Sequence, residues 1–475
     1  MNENDCESRP LSAQYAPASR RQTTRLVGAV AIAAGVLLIV GVTWRQKDGD
    51  SGPSAVTPKV SATSKDIGPL IYDIPWKAPP PLTAAEFQAK YATYFEPEFQ
   101  RTQGERIPPD LDVDTLQSVF IRPVNGAPGL GTLFIDRAGA VVLALKYPAV
   151  QRFSEGFAAV GTRIGSNRVV QSYGFVDRTG AMVIPPRYDH VEPFHEGLAP
   201  VTVDEKAGFI DRQGTMVIRP QYHFVGAFQN GVGYARLKPV ESEKVQFIDR
   251  QGKVLLNADS RETGYFSEGL MRMGLKGTPG IDDGVAVGYV DSTFSFVFRL
   301  GKDSSGFRPG RCEEFHDGMA AVEVERSNQW EWGFINREGK LAVPGPFFKV
   351  MSFSEGLAAV KRTREMDDTW GYIDRAGSFV IRERFFKVTS FAEGLAAVLL
   401  PLDKPGATDG QSAKSGLPRV KWGYIDQQGQ TTIEPRFYEA KPFRHGLAEV
   451  KESPRHLGFI DKTGEYVWEM ILPGG

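Results

Sequence analysis

About nine copies of one motif can be laid over this chain from about residue 130 to its C-terminus, and a period of this size requires stacked supersecondary units rather than one irregular core. One copy reads Trp370-Gly371-Tyr372-Ile373-Asp374-Arg375-Ala376-Gly377, followed by Phe391-Ala392-Glu393-Gly394-Leu395-Ala396-Ala397-Val398. The next reads Trp422-Gly423-Tyr424-Ile425-Asp426-Gln427-Gln428-Gly429, then Phe443-Arg444-His445-Gly446-Leu447-Ala448-Glu449-Val450. The array therefore has to be read before any local motif is trusted.

Each copy has the chemistry of a β-hairpin. Two apolar stretches, Gly371 to Ile373 and Phe379 to Ile381, flank a short polar turn that ends in Gly377. An Asp opens the turn because its carboxylate can accept from the backbone N–H groups ahead of it, and Gly supplies the positive φ that closes it. The Asp recurs as Asp136, Asp177, Asp211, Asp249, Asp291, Asp374, Asp426 and Asp461, with Asn336 in the remaining copy. One carboxylate per turn lacks the clustered oxygens that calcium needs, so a structural role is expected. The second half of the copies carries Phe153, Phe194, Phe228, Phe266, Phe315, Phe353, Phe391 and Phe443, each followed three residues on by Gly. A large aromatic at one fixed place suits packing between neighbouring units, and small residues such as Ala358 and Ala396 imply close approach of strands.

These residues resemble the WG-repeat (KWG-repeat) proteins of bacteria over roughly residues 130 to 470. The literal pair stands at Trp332-Gly333, Trp370-Gly371 and Trp422-Gly423; elsewhere Tyr173-Gly174, Ala207-Gly208, Val287-Gly288 and Leu457-Gly458 replace it. One copy, Asp291-Ser292-Thr293-Phe294, also lacks the turn Gly. The resemblance implies a β-rich module taken to mediate interactions, with no catalytic residues to carry over. The fold expected is an all-β repeat array of antiparallel hairpin units with about three strands each, open and solenoid-like. A β-propeller is the alternative, disfavoured by the unequal spacing of the aspartates, short from Asp177 to Asp211 and long from Asp374 to Asp426.

Ahead of the array, Leu26 to Thr43 is an uncharged apolar run preceded by Arg20, Arg21 and Arg25 and followed by Trp44. At ~1.5 Å per residue it can just cross a hydrocarbon core of ~30 Å. The expected organisation is a cytoplasmic tail (1–25), a transmembrane helix (26–44), a Pro/Gly/Ser-rich linker (45–81), a helical cap segment (82–115) and the array (116–475). The cap is signalled by a Thr83/Glu86 capping box, a Leu82/Phe87 staple, and Phe87, Tyr91, Tyr94 and Phe95 on one face. The protein is thus placed in a bacterial inner membrane, single-pass, with its repeats periplasmic or extracytoplasmic.

Lys and Arg number 56 against 57 Asp and Glu, interspersed without runs, which argues against a nucleic-acid partner. Cys6 and Cys312 lie on opposite sides of the apolar run, so no disulfide framework is expected and Cys312 reads as a small apolar filler. No GxGxxG, Walker loop, CxxC, HExxH or GxSxG occurs, and His195, His316 and His445 fall at variable turn positions; no catalytic residue, metal or cofactor is expected. The leading functional expectation is a membrane-anchored, non-catalytic interaction scaffold whose partner is an envelope protein. The alternatives are a cell-wall or glycan-binding module that stacks sugar rings on Trp330, Trp332, Trp370 and Trp422, and an enzyme with an unrecognised site. Departures from the repeat at Pro401 to Arg419, Gly301 to Arg311 and Glu325 to Glu331 are the places where loops could carry specificity.

Overall fold

The computed structural model describes residues 27–33, 36–42, 83–96, 99, 107–108, 110–121, 131–162, 172–237, 244–259, 263–275, 286–300, 309–326, 329–362, 369–402 and 420–472. The chain divides into two compact units, 1–68 and 69–475. In the first, Val27–Ala33 and Val36–Val42 are antiparallel strands, paired from Val27 opposite Val42 to Ala33 opposite Val36. Val and Ile make up half of their residues, and β-branched side chains favour extended backbone, while an unbroken apolar run carries no period that distinguishes strand from helix. Among the described residues no helix is long and apolar enough to cross a membrane. The expectation of a transmembrane helix over 26–44 is therefore overturned, and with it the single-pass inner-membrane placement, the cytoplasmic N-terminus and the periplasmic repeats. The tail (1–25) and linker (45–81) lie outside the described residues.

Among the described residues the second unit holds nine antiparallel sheets in chain order, the first three-stranded and the other eight four-stranded, each with sequence-adjacent strands as neighbours. They are blades 1 (Gln117–Leu145), 2 (Ala149–Tyr188), 3 (His190–Tyr222), 4 (Phe224–Asp259), 5 (Thr263–Leu300), 6 (Pro309–Phe347), 7 (Lys349–Phe385), 8 (Lys387–Phe437) and 9 (Glu439–Ile471). The motif suggests three strands because the first strand of a sheet is as short as two residues in His190–Val191, Lys349–Val350, Lys387–Val388 and Glu439–Ala440. Two residues leave no alternation to read. First strands of neighbouring blades lie side by side, as Gln151 donating to the Val191 carbonyl at 3.3 Å and Ser154 to that of Phe194 at 2.7 Å illustrate.

The Phe anchors join one blade to the next. Phe153 packs on Phe134 at 4.9 Å between ring centres, Phe194 on Phe175 at 4.9 Å, Phe228 on Phe209 at 4.8 Å, Phe315 on Tyr289 at 4.8 Å, Phe353 on Phe334 at 4.8 Å, Phe391 on Tyr372 at 4.9 Å and Phe443 on Tyr424 at 5.0 Å. Such a constant offset fixes one rotation per step, and nine steps return the chain on itself. Val119, Leu133, Ile135 and Ala144 of blade 1 share one core with Leu447, Phe459 and Met470 of blade 9. The Gln117 amide donates to the Arg444 carbonyl at 3.0 Å across the same seam. The expected open solenoid is thus corrected to a closed nine-bladed propeller, without any strand exchanged at the seam. The unequal aspartate spacing misled because most of the extra residues fall between second and third strands, at 163–171, 276–285 and 403–419, where they lengthen the interval without altering the step between blades.

The helix α1 (Ala84–Ala92) starts at the capping box, with Thr83 Oγ1 accepting from Glu86 N at 3.2 Å and Glu86 Oε2 accepting from Thr83 N at 2.7 Å. Its Tyr91, together with Phe95, is buried in the seam core, and the Tyr91 ring lies 6.4 Å from Trp468. The helix therefore covers the joint between the first and last blades rather than an open end. The side chains of the Leu82/Phe87 staple lie outside the described residues.

Candidate functional site

The recurring polar residues are used within the scaffold. In the hairpin turns the aspartate Oδ1 accepts from backbone N–H groups two and four residues ahead: for Asp374 these are Ala376 and Ser378, both at 2.9 Å, and for Asp426 they are Gln428 at 3.0 Å and Gln430 at 2.8 Å. Asn336 makes the same pair of bonds through its amide oxygen. Among the described residues no group of three His, Cys, Asp or Glu is placed to hold a metal ion. His195 and His316 are exposed and His445 half-buried, each in a separate turn.

A second set of carboxylates, in the Phe-x-Glu-Gly turns, forms a belt from blade to blade. Glu155 of blade 2 accepts from Gly197 N at 2.9 Å and pairs with Arg212 at 2.8 Å, both in blade 3. Burial would raise its pKa, but those two donors outweigh it and hold the carboxyl below its ordinary value. Glu196 accepts from Gly231 N at 2.9 Å, Glu268 from Gly318 N at 3.0 Å and from Arg337 at 3.2 Å, and Asp317 from Gly356 N and Arg375. Glu355 accepts from Glu393 N at 2.6 Å and Gly394 N at 2.8 Å, and Glu393 from Gly446 N at 2.9 Å, with Lys462 at 3.3 Å. Blade 1 lacks the turn, and Asp114 of the 3-10 turn Val113–Thr115 substitutes, accepting from Glu155 N at 2.6 Å and Gly156 N at 3.0 Å. This belt was not recognised from the sequence, although an acidic residue before Gly and a cation after the hairpin Asp recur in step.

The belt lapses between blades 4 and 5. Asn230 stands where Glu belongs and Ser292 where Arg belongs, and no hydrogen bond joins Asn230 to Gly269. Phe294 occupies the place of the turn Gly at a φ of 60° and packs between Phe247 at 5.4 Å and Phe266 at 6.3 Å. Tyr234 stands where blades 2, 6, 7 and 8 carry Ala159, Ala321, Ala359 and Ala397, and its ring lies 6.2 Å from both Phe224 and Tyr265. Phe224 is 41 % exposed and Tyr265 58 %, which places exposed aromatic surface on both sides of Tyr234 at this junction.

The four tryptophans proposed as binding residues are not brought together. Trp332, Trp370 and Trp422 are half-buried against the cores of their own junctions, each opposite an aromatic of the fourth strand: Phe347, Phe385 and Phe437. Trp330 differs, at 48 % exposed, and it lines a cleft of about 490 Å³ with Gln329, Glu331, Pro346, Phe348 and Arg362. Cys312 is buried in the core of blades 5 and 6, and that burial pushes its thiol up to about 12.

The model of the WG containing repeat matches residues 134–161, 173–206, 208–238, 332–362, 370–400 and 422–453, and passes over the stretch that includes blade 5. No curated protein matches the chain. Solved structures match weakly: BamB from Moraxella catarrhalis at 10% identity and a TM-score of 0.32, over 66% of this chain and 94% of that one; and Kluyveromyces lactis Hsv2 with a Gly-Ser linker in place of loop 6CD at 9% and 0.31, over 57% and 91%. Porphyromonas gingivalis dipeptidyl peptidase 4 matches at 11% and 0.35, over 76% of this chain and 60% of its own. Likeness at that level carries no argument about activity. With six repeats matched along its blades, the chain is a WG-repeat protein.

Proposed function

We propose that this WG-repeat propeller is a non-catalytic interaction scaffold that docks a partner protein at the junction of blades 4 and 5. The observation that carries the reading is the exposed aromatic pair Phe224 and Tyr265, which flank Tyr234 at that junction. Exposed aromatics are the residues that anchor protein interfaces, and their departure from the repeat marks a surface freed from scaffold duty. The recurring aspartates and belt carboxylates, by contrast, are engaged in turns and blade contacts, which supports a scaffold rather than a reaction centre.

A photo-crosslinking residue in place of Tyr265, compared with one at the exposed Val380 of blade 7, tests the reading. A protein adduct formed from position 265, absent from position 380 and lost in Phe224→Ser, is expected. The same adducts from both positions, or none from 265, would dismiss it.

A further inference from the structure

Blade 6 carries a long hairpin, Met319–Arg326 paired with Gln329–Asn336 in unbroken register out to Arg326 opposite Gln329. This extension places Trp330, opposite Glu325, near the hairpin tip, and forms one wall of the cleft of about 490 Å³. The volume lies within the ~300–1,000 Å³ of small-ligand sites. Pro346 at the end of blade 6 and Phe348 in the link that follows line the cleft, and Arg362 reaches it from blade 7.

The chemistry of the lining is mixed in a particular way. Arg362 is held flat by Glu383, with Nε donating to Oε1 at 2.7 Å and Nη2 to Oε2, and its guanidinium lies 4.6 Å from the Phe379 ring centre. Its charge is thereby balanced, while Nη1 retains its donors. Glu331 offers a carboxylate acceptor and Gln329 an amide that donates and accepts. An anion placed here meets Glu331, and a cation meets Arg362. The lining therefore favours a neutral ligand with one apolar face for the indole and, around its edge, groups that both donate and accept. Hydroxyls on a saturated ring have that combination.

We propose that the Trp330 cleft binds a neutral pyranose sugar, its C–H face on the indole and its hydroxyls on Gln329, Glu331 and Arg362. The site is independent of the protein-docking junction, and either can fail without the other.

The test titrates the full chain with cellotriose, maltotriose and chitotriose, followed by tryptophan fluorescence and by saturation-transfer NMR. At least one trisaccharide is expected to shift the emission, and Trp330→Ala to weaken its binding about tenfold or more while Trp422→Phe leaves it unchanged. Trp330 is exposed, so its removal leaves the fold intact, which the circular dichroism spectrum verifies. The proposal is overturned if no trisaccharide perturbs the spectra at about 10 mM, the weak end of specific binding, or if binding survives Trp330→Ala. It is equally overturned if a lysine-rich peptide binds in a Trp330-dependent manner and more tightly than every sugar, which would make the occupant a basic polypeptide segment.

Discussion

The glycine of the Trp-Gly pair is explained by a bulge. In blade 7 Trp370 pairs with Phe385 and Tyr372 with Ile381, so the fourth strand advances four residues while the third advances two, and the surplus folds over Gly371. A Cβ there would stand 2.7 Å from the Ile381 carbonyl oxygen, and one at Gly423 would stand 2.6 Å from that of Ile433. Gly371→Ala or Gly423→Ala is therefore expected to cost about 2–4 kcal/mol, read as a lowered urea midpoint, whereas Trp370→Phe stays under about 1.5 kcal/mol. The pair was legible in the sequence as a signature, but its reason was not, since the clashing carbonyl belongs to a strand whose register the hairpin pattern does not predict. Also hidden was His456, buried in blade 9 with Nε2 2.8 Å from Glu469 and Nδ1 3.3 Å from Glu452. Burial alone would lower its pKa; the two carboxylates outweigh that and raise it. A raised folded pKa means that the stabilisation is complete below the unfolded value of ~6.5 and is lost as pH rises through the folded value. Urea titrations should show wild type more stable than His456→Gln at about pH 5.5, with the difference closing toward about pH 9; a difference that grows with pH would refute this.

At the level of elements, four turns are tied to the next blade by one carboxylate and one cation: Glu155 with Arg212, Glu268 with Arg337, Asp317 with Arg375 and Glu393 with Lys462. The hairpins were legible because their Asp, Gly and aromatic positions act locally. The latches were not, because Glu155 and Arg212, or Glu268 and Arg337, meet only when neighbouring blades pack. The lapse between blades 4 and 5 tests the logic: Asn230→Glu and Ser292→Arg restore both halves of a latch, at a turn whose φ of 53° matches that of Glu155. Each single change should be near neutral, while the double variant should show a favourable coupling of about 0.5–1 kcal/mol in a double-mutant cycle, because the pair is partly exposed. Additive effects would mean that Phe294 holds the two blades too far apart.

For the whole molecule, closure distinguishes the ring from a stack. Loss of a terminal unit from a solenoid removes one unit's share of stability. Deleting residues 438–475 from this ring instead strips Leu447, Phe459 and Met470 from the core they share with blade 1 and uncovers blade 8 as well. The truncated chain is expected to lose its cooperative melt by circular dichroism and to be cleaved by protease in blade 1; a sharp transition with blade 1 intact would refute this. The sequence made the sheets and their number legible, since both follow from the repeat. Ring closure escaped it because it depends on a small rotation accumulated over nine steps, to which the spacing of residues is indifferent. The apolar run at 27–42 escaped for a related reason: its length suits a helix and its Val and Ile content a strand, and no periodicity decides between them.

Blades 1 to 4 are latched in series through Asp114, Glu155 and Glu196, and blades 5 to 9 through Glu268, Asp317, Glu355 and Glu393. The two remaining joints, at Asn230 and at His445, are closed chiefly by apolar and aromatic packing. Under tension between blade 1 and blade 9, oriented hydrogen bonds resist shear while ring faces slide. The circle should therefore behave as a clasp with one catch and one hinge, the seam parting first and the blade 4–5 joint flexing next. Optical-tweezers extension should record these as two early small steps, leaving arcs of four and five blades that unravel only at higher force.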